Sequence, residues 1–125
     1  MHFEENNLRK QRKEIKAWAK IHLLGRSVIN PGISRPITFT SSGIKEAINQ
    51  PHKHIREKNN AIKDIINLIL RAKYIKTEPE TSGSRNNQYH YLKTDICGED
   101  AFVVLKESKH DKRISFYSIV DKIKE

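Results

Sequence analysis

The stretch Tyr89-His90-Tyr91-Leu92-Lys93-Thr94-Asp95-Ile96, followed by Cys97-Gly98-Glu99-Asp100 and then Ala101-Phe102-Val103-Val104-Leu105-Lys106, decides the fold. Two runs rich in aromatic and β-branched residues flank a short polar segment with a glycine, which is the pattern of a β-hairpin. Ile114 to Val120 repeats the pattern after the polar turn Lys109-His110-Asp111-Lys112, so the three runs read as an antiparallel meander. Tyr74-Ile75-Lys76-Thr77 opens a fourth strand, and Glu78 to Asn87, with Pro79, Ser82, Gly83 and Ser84, reads as a polar loop.

Upstream of these strands the period changes. From Asn6 to Leu24, the residues Leu8, Ile15, Trp18, Ala19 and Leu23 recur at helical spacing, while Arg9, Lys10, Arg12, Lys13, Lys16 and Lys20 fall opposite them. Gly25 stops this helix, Asn30-Pro31-Gly32 and Arg35-Pro36 mark turns, and Ile37 to Thr40 alternates like a short strand. Ser41 or Ser42 is a cap for a short helix that Pro51 ends. A long helix from His52 to Lys73 comes next, with Ile55, Ile62, Ile65, Ile66, Ile69 and Leu70 as its apolar stripe. Helices first and strands last predict an α+β fold, with N-terminal helices packed on one face of a C-terminal antiparallel sheet of about four strands.

The chain of 125 residues suits one domain, helical over about 1–73 and sheet-forming over about 74–120. With 36% hydrophobic and 31% charged residues it is neither membrane-like nor of disordered composition. A lone cysteine, Cys97, forms no internal bridge, and no Cys/His spacing resembles a zinc motif. No secretory leader or membrane span is legible, so a cytoplasmic protein without cofactor or metal is expected.

Residues 1–75 hold 15 Lys/Arg against 6 Asp/Glu, whereas residues 76–125 hold 9 of each, so the whole net charge of +9 lies in the first part. Such a local excess attracts phosphates and releases counterions, which points to nucleic acid as the partner. Lys10, Arg12, Lys13, Lys16, Lys53, Arg56 and Lys58 are the expected contacts; a solvated lysine-rich surface is the plainer account of the same residues.

Chemistry is concentrated in Gln50-Pro51-His52-Lys53-His54, where proline introduces a helix and two imidazoles and an ammonium occupy its first turn. Amide groups at a helix start attract a phosphate, and histidines exchange protons near neutral pH, as attack by a ribose 2′-OH on its own phosphodiester requires. A capping histidine beside a solvated one explains the pair equally well. His90 and Tyr91 must face opposite sides of a strand; Tyr117 and Lys45 are further candidates, each with a simpler structural explanation as half-buried tyrosine or surface lysine. Glycine-rich phosphate loops, His-Glu-x-x-His, a nucleophile elbow and clustered carboxylates for divalent metals are missing, so any cleavage is expected to be metal-free.

The run Ile37-Thr38-Phe39-Thr40-Ser41-Ser42-Gly43-Ile44-Lys45-Glu46, the Gln50 to His54 segment, the Ile-rich helix, Tyr74-Ile75, Tyr89-His90-Tyr91 and Phe116-Tyr117-Ser118-Ile119 together resemble phage-associated barnase–EndoU–colicin–RelE-like nuclease domains, over roughly residues 15–120. The resemblance implies a phage-encoded or toxin-like, metal-independent endoribonuclease, with catalytic groups on the sheet and a helix edge. It also implies an immunity protein or a phage structural protein as partner. His52, His54, Lys45, His90 and Tyr117 carry over only as matching polar positions. The competing expectation is a winged-helix-like DNA binder that reads bases with His54, Arg56, Asn59, Asn60 and Lys63.

Overall fold

The computed structural model describes residues 2–80 and 87–123, so the centre of the expected polar loop lies outside the described residues. Helix α1 (His2–His22) leads into two short strands, β1 (Ser27–Ile29) and β2 (Pro36–Thr38), and then helix α2 (Ser41–Asn49). Next come α3 (Ile55–Ala61), a 3-10 turn (Ile62–Asp64) and α4 (Ile65–Arg71). Four long strands complete the chain: β3 (Lys73–Pro79), β4 (Gln88–Ile96), β5 (Glu99–Glu107) and β6 (Ile114–Val120).

The expected α+β class is what forms, and β3, β4, β5 and β6 are its antiparallel meander. The sheet is larger than the expected four strands, in the order β1-β2-β6-β5-β4-β3. The added strands come from the N-terminal part, and β2 joins β6 in parallel through Ile37↔Ile114 and Thr38↔Ser115. Three-residue strands leave almost no periodicity to read. β1 offers only Val28 turned inward between two exposed neighbours.

Alternation along the strands sorts the sheet into two faces. Leu92, Ile96, Ala101, Val103, Leu105, Ile114, Phe116 and Ile119 enter the core with Ile15, Ala19 and Leu23 of α1, Ile44 and Ile48 of α2, and Ile65 and Ile69 of α4. Tyr89, Tyr91, Lys106 and Tyr117 turn the other way, onto a face without a helix over it among the described residues. At Tyr117 the pairing of β5 with β6 slips, because Val104 faces Ser118 while Leu105 faces Phe116. Tyr117 is the extra residue of this bulge, and a bulge re-aims side chains.

Two helix expectations need correction. The cap of α2 is Thr40, not Ser41 or Ser42: its extended backbone lets the side chain accept from Gly43 N at 3.0 Å. The long helix is also not continuous. His52 and Lys53 precede it, His54 is the residue just before α3, and the 3-10 turn at Ile62–Asp64 separates α3 from α4. His52 and His54 therefore do not sit in a first helical turn, and the phosphate site expected from amide groups there loses its basis. The break lets both Ile62 and Ile65 reach the core fully buried while Ile66 stays only partly covered.

Candidate nucleic-acid interface and the open face of the sheet

Helices α1 and α2 pack side by side and leave a groove between them. One part, of about 410 Å³, is lined by Lys13, Lys16, Lys20, Leu24, Ser41 and Ile44. The adjoining part, of about 220 Å³, is lined by Arg12, Lys13, Lys16, Lys45, Ile48 and Asn49. Among the described residues none of Arg12, Lys13, Lys16, Lys20 or Lys45 meets a carboxylate, and Arg12 Nε is buried without a hydrogen-bond partner. A row of uncompensated cations stores repulsion that an anion relieves. Lys45, singled out in the sequence beside the histidines, belongs to this groove. Lys10 and Arg56 line a separate hollow with Asn7, Gln11 and Glu14.

Lys58, expected at the nucleic-acid surface, is fully buried and cannot touch phosphate. Its Nζ donates to Ala47 O at 2.5 Å and Ile48 O at 3.2 Å, satisfying carbonyls near the end of α2. Burial, with Arg12 nearby, pushes its pKa down to about 7. Asn59 is equally buried and drops out of the base-reading face expected of a winged helix, whereas Arg56, Asn60 and Lys63 stay exposed.

The open face of the sheet holds a cleft of about 450 Å³. Tyr117 and Tyr89 stand side by side in it, ring centres 5.5 Å apart. Tyr117 donates to Glu46 Oε1 of α2 at 3.2 Å, and Tyr89 donates to Glu80 Oε1 at 3.2 Å. Glu80 is held from its other oxygen by Asn87 Nδ2, also at 3.2 Å. Lysines border the strip: Lys106 Nζ lies 5.5 Å from the Tyr117 ring centre and Lys76 Nζ 5.6 Å from that of Tyr91. Burial, reinforced by the neighbouring carboxylates, raises the pKa of Tyr89 and Tyr117 above the ordinary phenol, so both keep their protons at neutral pH. Helix α2 takes part in both surfaces: Lys45 and Asn49 line the cationic groove, whereas Glu46 and Gln50 border the cleft.

The histidines lie elsewhere. His52 accepts the His54 N–H on Nδ1 at 2.9 Å, and its Nε2 is buried without a partner. Burial lowers the His52 pKa despite the nearby Asp121. His54 Nε2 lies 3.1 Å from Glu99 Oε2, and Lys53 Nζ lies 2.5 Å from the same oxygen. Both contacts join the segment before α3 to the start of β5. His90 is at the far end of the sheet, six residues from Ile96 at the hairpin, or roughly 20 Å of strand. Both of its nitrogens are used: Nδ1 meets Thr77 Oγ1 at 2.6 Å and Nε2 meets Glu107 Oε1 at 2.8 Å. Burial opposes ionisation of Glu107, but hydrogen bonds from His90 and Arg35 and the guanidinium charge outweigh it, and its pKa is lowered. The structure thus distributes the five candidates over four places, and His90 cannot act on the same phosphate as His52 or His54.

Sequence reasoning missed Glu46 and Glu80. The two lie more than thirty positions apart, and only the α2–β6 packing and the β3–β4 pairing bring them to one face. Tyr89 was legible as an aromatic at odd spacing with Tyr91, the signal of a shared strand face. The chain matches the family described as large polyvalent protein-associated domain 3 over residues 6–117. No curated protein and no solved structure matches it.

Proposed function

Because the chain belongs to the large polyvalent protein-associated domain 3 family, a phage-associated domain family, we propose that it is an RNA-binding domain that cleaves RNA by attack of the ribose 2′-OH, without a metal ion. The observation that carries this reading is the pair of tyrosine–glutamate contacts, Tyr117–Glu46 and Tyr89–Glu80, in one open cleft beside an unpaired cationic groove. Helices gathered on one face of a sheet whose four long strands run antiparallel, with polar groups on the other, also suit the barnase–EndoU–colicin–RelE-like resemblance.

In this reading Lys13, Lys16 and Lys45 hold backbone phosphates, and Tyr89, Tyr91 and Tyr117 offer ring faces to unpaired bases. Glu80 takes the proton of the 2′-OH, whose oxygen attacks phosphorus. Tyr117 gives its proton to the departing 5′-oxygen from the opposite side of the cleft. The products are a 2′,3′-cyclic phosphate and a free 5′-hydroxyl, and Lys106 offsets the charge gathering on the phosphorane. Glu46 is a positioning residue that acts through Tyr117.

The test is incubation of the purified protein with single-stranded RNA and DNA of matched sequence in chelator. Cleavage of RNA alone, with 2′,3′-cyclic ends, is the expected result. Cleavage of DNA, or a requirement for added magnesium, overturns it. Loss of cleavage in a His52→Ala, His54→Ala double variant that still folds moves the chemistry to the histidine segment.

A further inference from the structure

We propose that His54, Glu57 and Cys97 bind one Zn²⁺ ion where the β4–β5 hairpin meets the start of α3. One ligand atom of each residue lies within 4.8 Å of the others, and all three side chains are exposed or half-buried. Zinc takes thiolate, imidazole and carboxylate at about 2.0–2.3 Å, so modest side-chain rotations bring such a set onto one ion. Thiolate with imidazole also favours zinc over magnesium or calcium, which prefer oxygen.

Local structure explains how the three converge. His54 immediately precedes α3 and Glu57 lies in its first turn, so the helix start brings the two close in the chain. Cys97 occupies the hairpin turn with φ 56°, followed by Gly98 with φ 75°. Left-handed backbone is costly for a residue with a side chain and is normally taken by glycine or asparagine, so a thiol at this spot is not a choice made for the turn.

A fourth residue supports the imidazole. Glu99 Oε2 meets Nε2 of His54 at 3.1 Å, while Nδ1 has no hydrogen bond among the described residues. A carboxylate on one ring nitrogen orients the ring and raises the basicity of the other, an arrangement common behind metal-bound histidines. The Lys53 ammonium, 2.5 Å from Glu99, balances that carboxylate. Three protein ligands leave one position for water, and the ion ties the hairpin to α3. The site does not touch the cleft proposed for RNA, so the two claims stand or fall separately.

The experiment is titration of the full chain, kept reduced, with Co²⁺ as a spectroscopic stand-in for Zn²⁺. A sulfur-to-cobalt charge-transfer band saturating at one equivalent, and removed by Zn²⁺, is expected. Cys97→Ser should abolish the band, Glu57→Gln and His54→Ala should each weaken binding at least tenfold, and Glu99→Gln should weaken it about 10–100-fold. Zn²⁺ should raise the melting temperature of the parent but not of Cys97→Ser, which should keep the RNA cleavage of the parent. No charge-transfer band, or a band that His54→Ala and Glu57→Gln leave unchanged, overturns the site. Loss of cleavage with an intact cobalt signal condemns the nuclease reading alone.

Discussion

Tyr117 of β6 donates its hydroxyl to Glu46 of α2 at 3.2 Å, joining the bulged strand to the helix packed against it. A carboxylate that accepts from a phenol keeps that phenol oriented and protonated. Tyr117→Phe removes the proposed acid and should lower RNA cleavage by roughly 10²–10⁴-fold with little change in melting temperature. Glu46→Gln preserves a partner for the hydroxyl and should reduce cleavage less than Tyr117→Phe. Single-turnover cleavage of a defined RNA separates them, and a Glu46→Gln loss that persists in the Tyr117→Phe background would show that Glu46 is not acting through Tyr117.

The cationic groove predicts a salt-dependent term. Each phosphate contact on single-stranded RNA contributes a slope of about 0.7 to the dependence of log affinity on log salt. Replacing Lys13, Lys16, Lys20 and Lys45 by Gln should weaken binding uniformly over different sequences and flatten that slope by up to about 3. The same exchange at Lys10 and Arg56, which line a different hollow, should change the slope less. Filter binding over a range of salt distinguishes the two sets.

Gly43 fixes how closely α2 approaches the sheet. A Cβ at this position would lie 2.1 Å from the Phe116 carbonyl oxygen, a backbone atom that cannot turn aside. Gly43→Ala should therefore destabilise by about 3 kcal/mol or more, measured by urea unfolding, because the helix must be pushed off β6. A variant as stable as the parent would refute the close packing of α2 on β6.

Burial also ranks the isoleucines of α4. Ile65 is fully buried, whereas Ile66 is only packed against the core's edge. Ile65→Asp should abolish folding, since it leaves an unpaired carboxylate in the interior, and Ile66→Asp should fold with a smaller loss by thermal melting. A continuous helix would have made these positions alike, and that is how the sequence reads: the stripe Ile55, Ile62, Ile65, Ile66, Ile69 shows which residues are apolar but not where the 3-10 turn rotates them. The meander from Tyr89 to Val120 was legible because long strands repeat their period many times. β1 and the parallel β2–β6 pairing were not, because three residues carry no period and a parallel neighbour 77 positions away, Ile114 against Ile37, leaves no local trace. For the candidate site, the cations of α1 and Tyr117 could be read from the sequence. Glu46, Glu80 and the buried fate of Lys58 depended on tertiary packing.

Lys58 gives a pH dependence whose sign is set by its environment. The side chain is fully buried against Ala47 O and Ile48 O, and its folded-state pKa is pushed down to about 7, from 10.5 in the open chain. Below pH 7 both states hold the proton, and the folded state bears the full cost of a buried charge. Between pH 7 and 10.5 the unfolded chain still binds the proton and the folded chain has released it, so stability rises with pH over that window. The rise amounts to at most about 1.4 kcal/mol for each pH unit. Lys58→Met removes the titrating group, and the difference in unfolding free energy between parent and variant should move in the parent's favour from pH 7 to pH 9. Arg12→Gln withdraws the neighbouring charge, which should raise the Lys58 pKa and shift the onset of the rise to higher pH. Urea unfolding of the three proteins at a series of pH values measures both effects. A parent whose stability relative to Lys58→Met is flat across this range would mean that Lys58 keeps its proton inside the fold, held by the two carbonyls at the end of α2.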